Sequence, residues 1–107
     1  QLISKDFLET AVNTSQEINE AYGYLWWLNG KSSYHLPSTQ FEFEGALIPT
    51  APAETFAALG KNDQKIYVVP SKKLVVIRMG NVASDVNFAL SSFDEELWTK
   101  LNDLMGQ

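Results

Sequence analysis

The sequence predicts an α+β domain: an antiparallel sheet covered by helices from its N- and C-terminal ends. Two β-branched runs, Lys65–Val69 and Leu74–Met79, are joined by the polar turn Pro70–Lys73, which is hairpin patterning. Helical spacing of apolar residues flanks that hairpin, near Ser4 and after Ser92. Helix, antiparallel strands, helix is the order of an α+β class.

The elements follow in chain order. Ser4 suits an N-cap and Asp6 a first turn, and Phe7, Leu8, Ala11 and Val12 recur at helical spacing, so a short helix is expected from Ser4 to about Thr14. The aromatic run Ala21–Leu28 reads as a strand, and Asn29-Gly30 as the tight hairpin turn that ends it. Pro37, Pro49 and Pro52 break up residues 31–55, where only Phe41–Glu44 alternates at period two. Pro52–Gly60 fits either a one- to two-turn helix or the entry to a strand. The hairpin 65–79 is apolar on both faces, which calls for cover by other elements. Ser92-Phe-Asp-Glu95 reads as a capping box opening a final helix, with Phe93, Leu97, Leu101 and Leu104 as its apolar stripe, flanked by Trp98 and Met105.

Composition narrows the chemistry. One small domain fits 107 residues, and an apolar share of 45% with 20% charged residues is that of a folded chain. The net charge of −5, with 8 scattered basic residues, disfavours nucleic acid, because phosphate neutralisation needs clustered Lys and Arg. With no cysteine there is no disulfide, Cys-ligated zinc or thiolate nucleophile. The start at Gln1, without Met, fits a processed or truncated product, so a missing export signal does not argue for the cytoplasm.

Candidate sites are few. His35 is the one histidine, and Glu42 and Glu44 lie beyond Pro37 with no ligand spacing, so no metal site is expected and His35 reads as a loop residue. Glu42 and Glu44 share a strand face, as paired carboxylates in a glycosidase do, but alternation with Phe41 and Phe43 is also the pattern of a half-solvated strand. Asp94, Glu95 and Glu96 are accounted for by the helix dipole. Among the aromatics, Tyr24 and Trp26 are candidates for a pocket wall. Adjacent strand residues face opposite ways, so only one of Trp26 and Trp27 can line a given pocket.

Two stretches, Tyr22-Gly-Tyr-Leu-Trp-Trp-Leu-Asn29 and Phe56-Ala-Ala-Leu-Gly-Lys-Asn-Asp-Gln-Lys-Ile-Tyr-Val-Val-Pro70 continuing through Gly80, together resemble the C-terminal part of the β-lactamase and penicillin-binding-protein-like serine hydrolases. The likeness is to the class C-like branch that includes esterases and amide hydrolases, and it extends over residues 1–105. It implies that residues 1–107 are the C-terminal fragment of a single β-lactamase/transpeptidase-like domain, in which this hairpin lines the active site. The family's nucleophile sits upstream in an S-x-x-K motif, followed by a tyrosine motif of the Y-x-N type. None of the 7 lysines here has serine three residues before it, and no tyrosine has asparagine two residues after it. Acyl transfer needs an activated hydroxyl, so no catalytic residue is expected in this chain.

The family's third motif, a Lys or His followed two residues later by Gly, is matched best by Ala58-Leu59-Gly60, with Thr55-Phe56-Ala57 as the alternative; neither offers a cation. The implied role is therefore a main-chain one, an N–H beside the reacting carbonyl, with Gly60 permitting close approach or simply serving a turn. No cofactor is implied. The expected partners are the remainder of the parent domain, a small amide or ester substrate bound through it, and a second copy of the chain through an open sheet edge. The resemblance implies export to the periplasm or cell envelope. A self-standing, non-catalytic binding module is the competing expectation.

Overall fold

A computed structural model describes residues 2–37, 40–83 and 89–106. The class is α+β: α1 (Lys5–Ala11), β1 (Trp27–Leu28), β2 (Ser33–Tyr34), β3 (Phe43–Glu44), β4 (Phe56–Gly60), β5 (Gln64–Val69), β6 (Leu74–Arg78) and α2 (Ser92–Leu104). An antiparallel four-stranded sheet runs β1-β4-β5-β6, and β2 and β3 form a separate two-stranded ribbon. Segment 52–60 resolves as the strand β4, with Gly60 as its last residue.

Register decides what each face of the sheet carries. Ala57, Tyr67 and Val76 lie in one cross-strand row, and Ala58, Ile66 and Ile77 in the next. Successive rows face opposite ways, so Lys65, Tyr67 and Val69 turn towards α2 and are fully buried. On that face Trp98 stands edge-on to the Tyr67 ring, centroids 5.5 Å apart, at the centre of a core completed by Trp27, Leu47, Ile48 and Ala57. The other face is open along β6. Val75 is 56% exposed and Ile77 61%, so the helix cover expected for the hairpin comes from α2 on one face.

Helix α2 starts one residue earlier in its capping box than the sequence pattern suggests. Ser91 is the N-cap, its hydroxyl accepts from the Phe93 amide, and Asp94, not Glu95, reaches back to the Ser91 amide at 2.9 Å. The buried stripe of α2 is Asp94 and Trp98, with Leu97 and Leu101 packed beside it and Leu104 left in solvent.

The aromatic run also departs from a plain strand. Leu25 adopts φ +68°, Gly23 donates to the Trp26 carbonyl, and Tyr22 bridges Trp27, so the chain doubles back and leaves only Trp27–Leu28 in the sheet. Nor is Asn29-Gly30 a hairpin turn. The Asn29 side chain is buried, donates to the carbonyls of Ile48, Ala51 and Pro52, and accepts from the Ile48 amide, pinning the 47–52 loop under β1. Helix α1 is capped by Ser4 as expected and meets the body through Ala11, whose carbonyl accepts from Tyr24 at 2.8 Å.

Candidate functional site

An apolar groove of about 360 Å³ lies where β1 parts from β4, a size that falls in the range of small-molecule sites. Its lining includes Ala58, Leu59 and Gly60, the strand residues singled out by sequence, together with the row-mates Ile66 and Ile77. The aromatic wall differs from expectation. Tyr22 and Trp27 border the groove, whereas Tyr24 packs on Phe7 and Trp26 stands edge-on to Phe56, because the turn at Leu25 carries both away from it.

The edge of β4 gives the groove its polar feature. The Asn29 amide donates to the Thr55 carbonyl, and the pairs Leu28–Phe56 and Trp27–Ala57 follow. Hydrogen-bonded pairs alternate along an antiparallel ladder, so the N–H and C=O of Leu59 project to the same side. Its opposite number would be Leu25, which has already turned out of the sheet. Among the described residues no strand pairs with β4 on that side beyond Ala57. Gly60 has an extended backbone, and a Cβ there would lie 3.2 Å from that of Gln64 across the ladder, so this glycine serves close cross-strand packing.

Behind the sheet lies a feature the sequence did not disclose. Lys65 Nζ is 2.9 Å from Asp94 Oδ2 and 3.5 Å from Asp63 Oδ1, with all three side chains fully buried. It also donates to the Ala89 carbonyl, and the Tyr67 hydroxyl donates to Asp94 Oδ1. Ser91 Oγ donates to Asp63 at 2.6 Å and the Ala83 amide donates at 3.0 Å. Burial alone would raise the Asp63 pKa, but the Ser91 hydroxyl, the Ala83 amide and the Lys65 ammonium outweigh it and hold the carboxyl below the usual range. Burial, and then the charge of Asp94, push the Tyr67 phenol far up, so it stays a neutral donor. Lys65 is therefore consumed in an ion pair and is not a free base. Asp94 could be read in sequence only as a helix-dipole residue, because a partner 29 positions away leaves no local signal.

The remaining candidates stay apart from the groove. His35 lies in a loop with its main chain bonded on both sides to the Asn19 amide, and its Nδ1 is buried without a partner. It shares a shallow polar depression with Glu17, Glu20 and Glu42. Glu44 is exposed on β3. Among the described residues no group of three or more His, Asp or Glu could hold a metal ion, and no helix is long and apolar enough to cross a membrane. Comparison with family models, curated proteins and solved structures finds no match.

Proposed function

We propose that the chain supplies the sheet wall of an acyl-transferring serine hydrolase related to the β-lactamases and penicillin-binding proteins, with its nucleophile on a segment outside residues 1–107. The observation that carries this is the unpaired main-chain edge at Leu59 bordering an apolar groove. A neutral N–H fixed on a strand edge is the kind of donor that stabilises a developing oxyanion, whatever the side chain. The stretch that resembles the family, Phe56–Gly80, is the stretch that builds β4, β5 and β6. The sheet face open along β6 and the outer edge of that strand are surfaces for the rest of such a domain to cover. On this reading the parent is exported and acts on a small amide or ester.

A second reading, a self-standing binding module, is favoured by the sealed face, where Trp98, Tyr67 and the ion pair close a core from the chain's own residues. Activity-probe labelling separates the two. On the hydrolase reading, a fluorescent penicillin or an ester-type serine probe labels the full-length gene product at an S-x-x-K serine before residue 1 and leaves residues 1–107 unlabelled. Label on a serine within these residues would overturn it. A reading frame opening directly before Gln1 would favour the module.

A further inference from the structure

We infer that two copies of this chain pair edge to edge through β6, antiparallel about a two-fold axis at Val76, so that their sheets become one. The inference is independent of the hydrolase reading. Under that reading a segment of the parent would hold the same edge, so the test belongs to the 107-residue protein. The main-chain directions follow from the sheet itself. One step beyond the β1–β4 ladder, the Asn29 amide donates to the Thr55 carbonyl, which makes Asn29–Thr55 a hydrogen-bonded pair. Such pairs alternate along a ladder, so each strand turns successive residues to its two neighbours in alternation. Carried across the register, Ala58–Ile66 bonds between β4 and β5, and Tyr67–Val76 between β5 and β6. Leu74, Val76 and Arg78 therefore bond to β5, and the Gly80 amide, next in that series, points the same way onto the Gln64 side chain. This leaves the N–H and C=O of Val75 and Ile77 on the outer side of β6, where among the described residues no strand meets them.

A two-fold axis can bring these outward groups together at Val75, Val76 or Ile77. Centring on Val76 sets Val75 against Ile77 of the second copy, and Ile77 against its Val75, and each pair exchanges two hydrogen bonds. Every residue of β6, Leu74 to Arg78, is then paired. The other centres pair only Leu74 to Val76 or Val76 to Arg78. Centring on Val75 also sets Lys72 directly opposite Arg78, and like charges so placed are destabilising. On Val76, Arg78 instead meets Leu74, and Lys73 meets Met79. The side chains favour the same register. Val75 and Ile77 are exposed on one face, and across the axis they meet their counterparts as a β-branched apolar cluster. Leu74 to Ile77 holds no charge, no proline and no bulge, the devices that keep an edge strand single.

Disulfide trapping tests the register, and the chain's lack of cysteine gives it a silent background. At the axis the two Val76 residues form a non-hydrogen-bonded pair with Cα atoms about 4.5 Å apart, a separation that a disulfide spans. Under mild oxidation, Val76→Cys is expected to form a covalent dimer, read on a non-reducing gel, at least about tenfold faster than Val75→Cys or Ile77→Cys. Each of those single thiols lies two positions out of line with its own copy. The double variant Val75→Cys/Ile77→Cys brings unlike positions face to face and should link as fast as Val76→Cys. Both of its sites are exposed, so it decides the matter should Val76→Cys not fold. Equal rates at the three single positions, a faster rate at Val75 or Ile77, or a double variant no faster than its single parents overturns the pairing. So does sedimentation of the unaltered protein as a monomer at every concentration.

Discussion

The ammonium of Lys65 on β5 lies 2.9 Å from the carboxylate of Asp94 in the first turn of α2, and neither side chain is reached by solvent. This contact joins the sheet to its covering helix at a point where the same carboxylate also closes the helix's capping box. Removing the cation would leave Asp94 and Asp63 as buried charges without their counter-ion. Lys65→Met is therefore expected to destabilise the fold by about 3–5 kcal/mol, read as a lowered urea midpoint.

Tyr67 supplies the other Asp94 oxygen with its donor, and its ring carries the edge contact with Trp98. Tyr67→Phe keeps the ring and deletes the donor. A loss of about 1–3 kcal/mol is expected, the cost of a buried acceptor left short of a partner. A loss below a few tenths would mean that water replaces the hydroxyl.

Acid should loosen the same region through Asp63. Its carboxyl is held below the ordinary aspartate value, so the ionised form favours folding. That contribution is complete above a pH of about 3.9 and is lost as pH falls from there through the lower folded value. Thermal melts of the unaltered protein and Asp63→Asn should differ at neutral pH and converge as the buffer is taken below about pH 4. A constant gap would assign the difference to packing.

How much of this was readable beforehand depended on range. The β5–β6 stretch announced its hairpin because runs of β-branched residues and the Pro70 turn are local signals, and Ser4 announced α1 for the same reason. Of the groove, Ala58, Leu59 and Gly60 were legible only through the family likeness, since nothing in their own chemistry marks them. Tyr24 and Trp26 were misplaced because a positive φ at Leu25 has no sequence signature in a residue other than Gly, Asn or Asp. The ion pair was invisible, since Lys65 in a β-branched run looks like a solvent-facing strand residue until α2 is folded over it.

The free edge of β6 carries a prediction of its own. Among the described residues no strand pairs with β6 on its outer side, and Val75 and Ile77 are exposed there, the arrangement that invites strand-to-strand association. The 107-residue protein should elute in size-exclusion chromatography as a concentration-dependent mixture that includes a dimer. Val75→Lys, at a position already in solvent, should shift it to monomer with a change in stability within about 0.5 kcal/mol. A monomer at every concentration would show that the edge is protected.

Gly23 sets a final condition on how the chain's first segment is held. A Cβ at that position would come within 2.1 Å of the Ala11 carbonyl oxygen and 2.8 Å of that of Asn13. Helix α1 can therefore rest on the aromatic turn only because one carbon atom is missing between them. Supplying it, as Gly23→Ala does, would lift the first dozen residues away while the strands and α2 keep their own contacts. The leading helix is thus a detachable piece, fastened by close backbone contact, and a protease should find the joint near Asn13 once a methyl group forces that contact open.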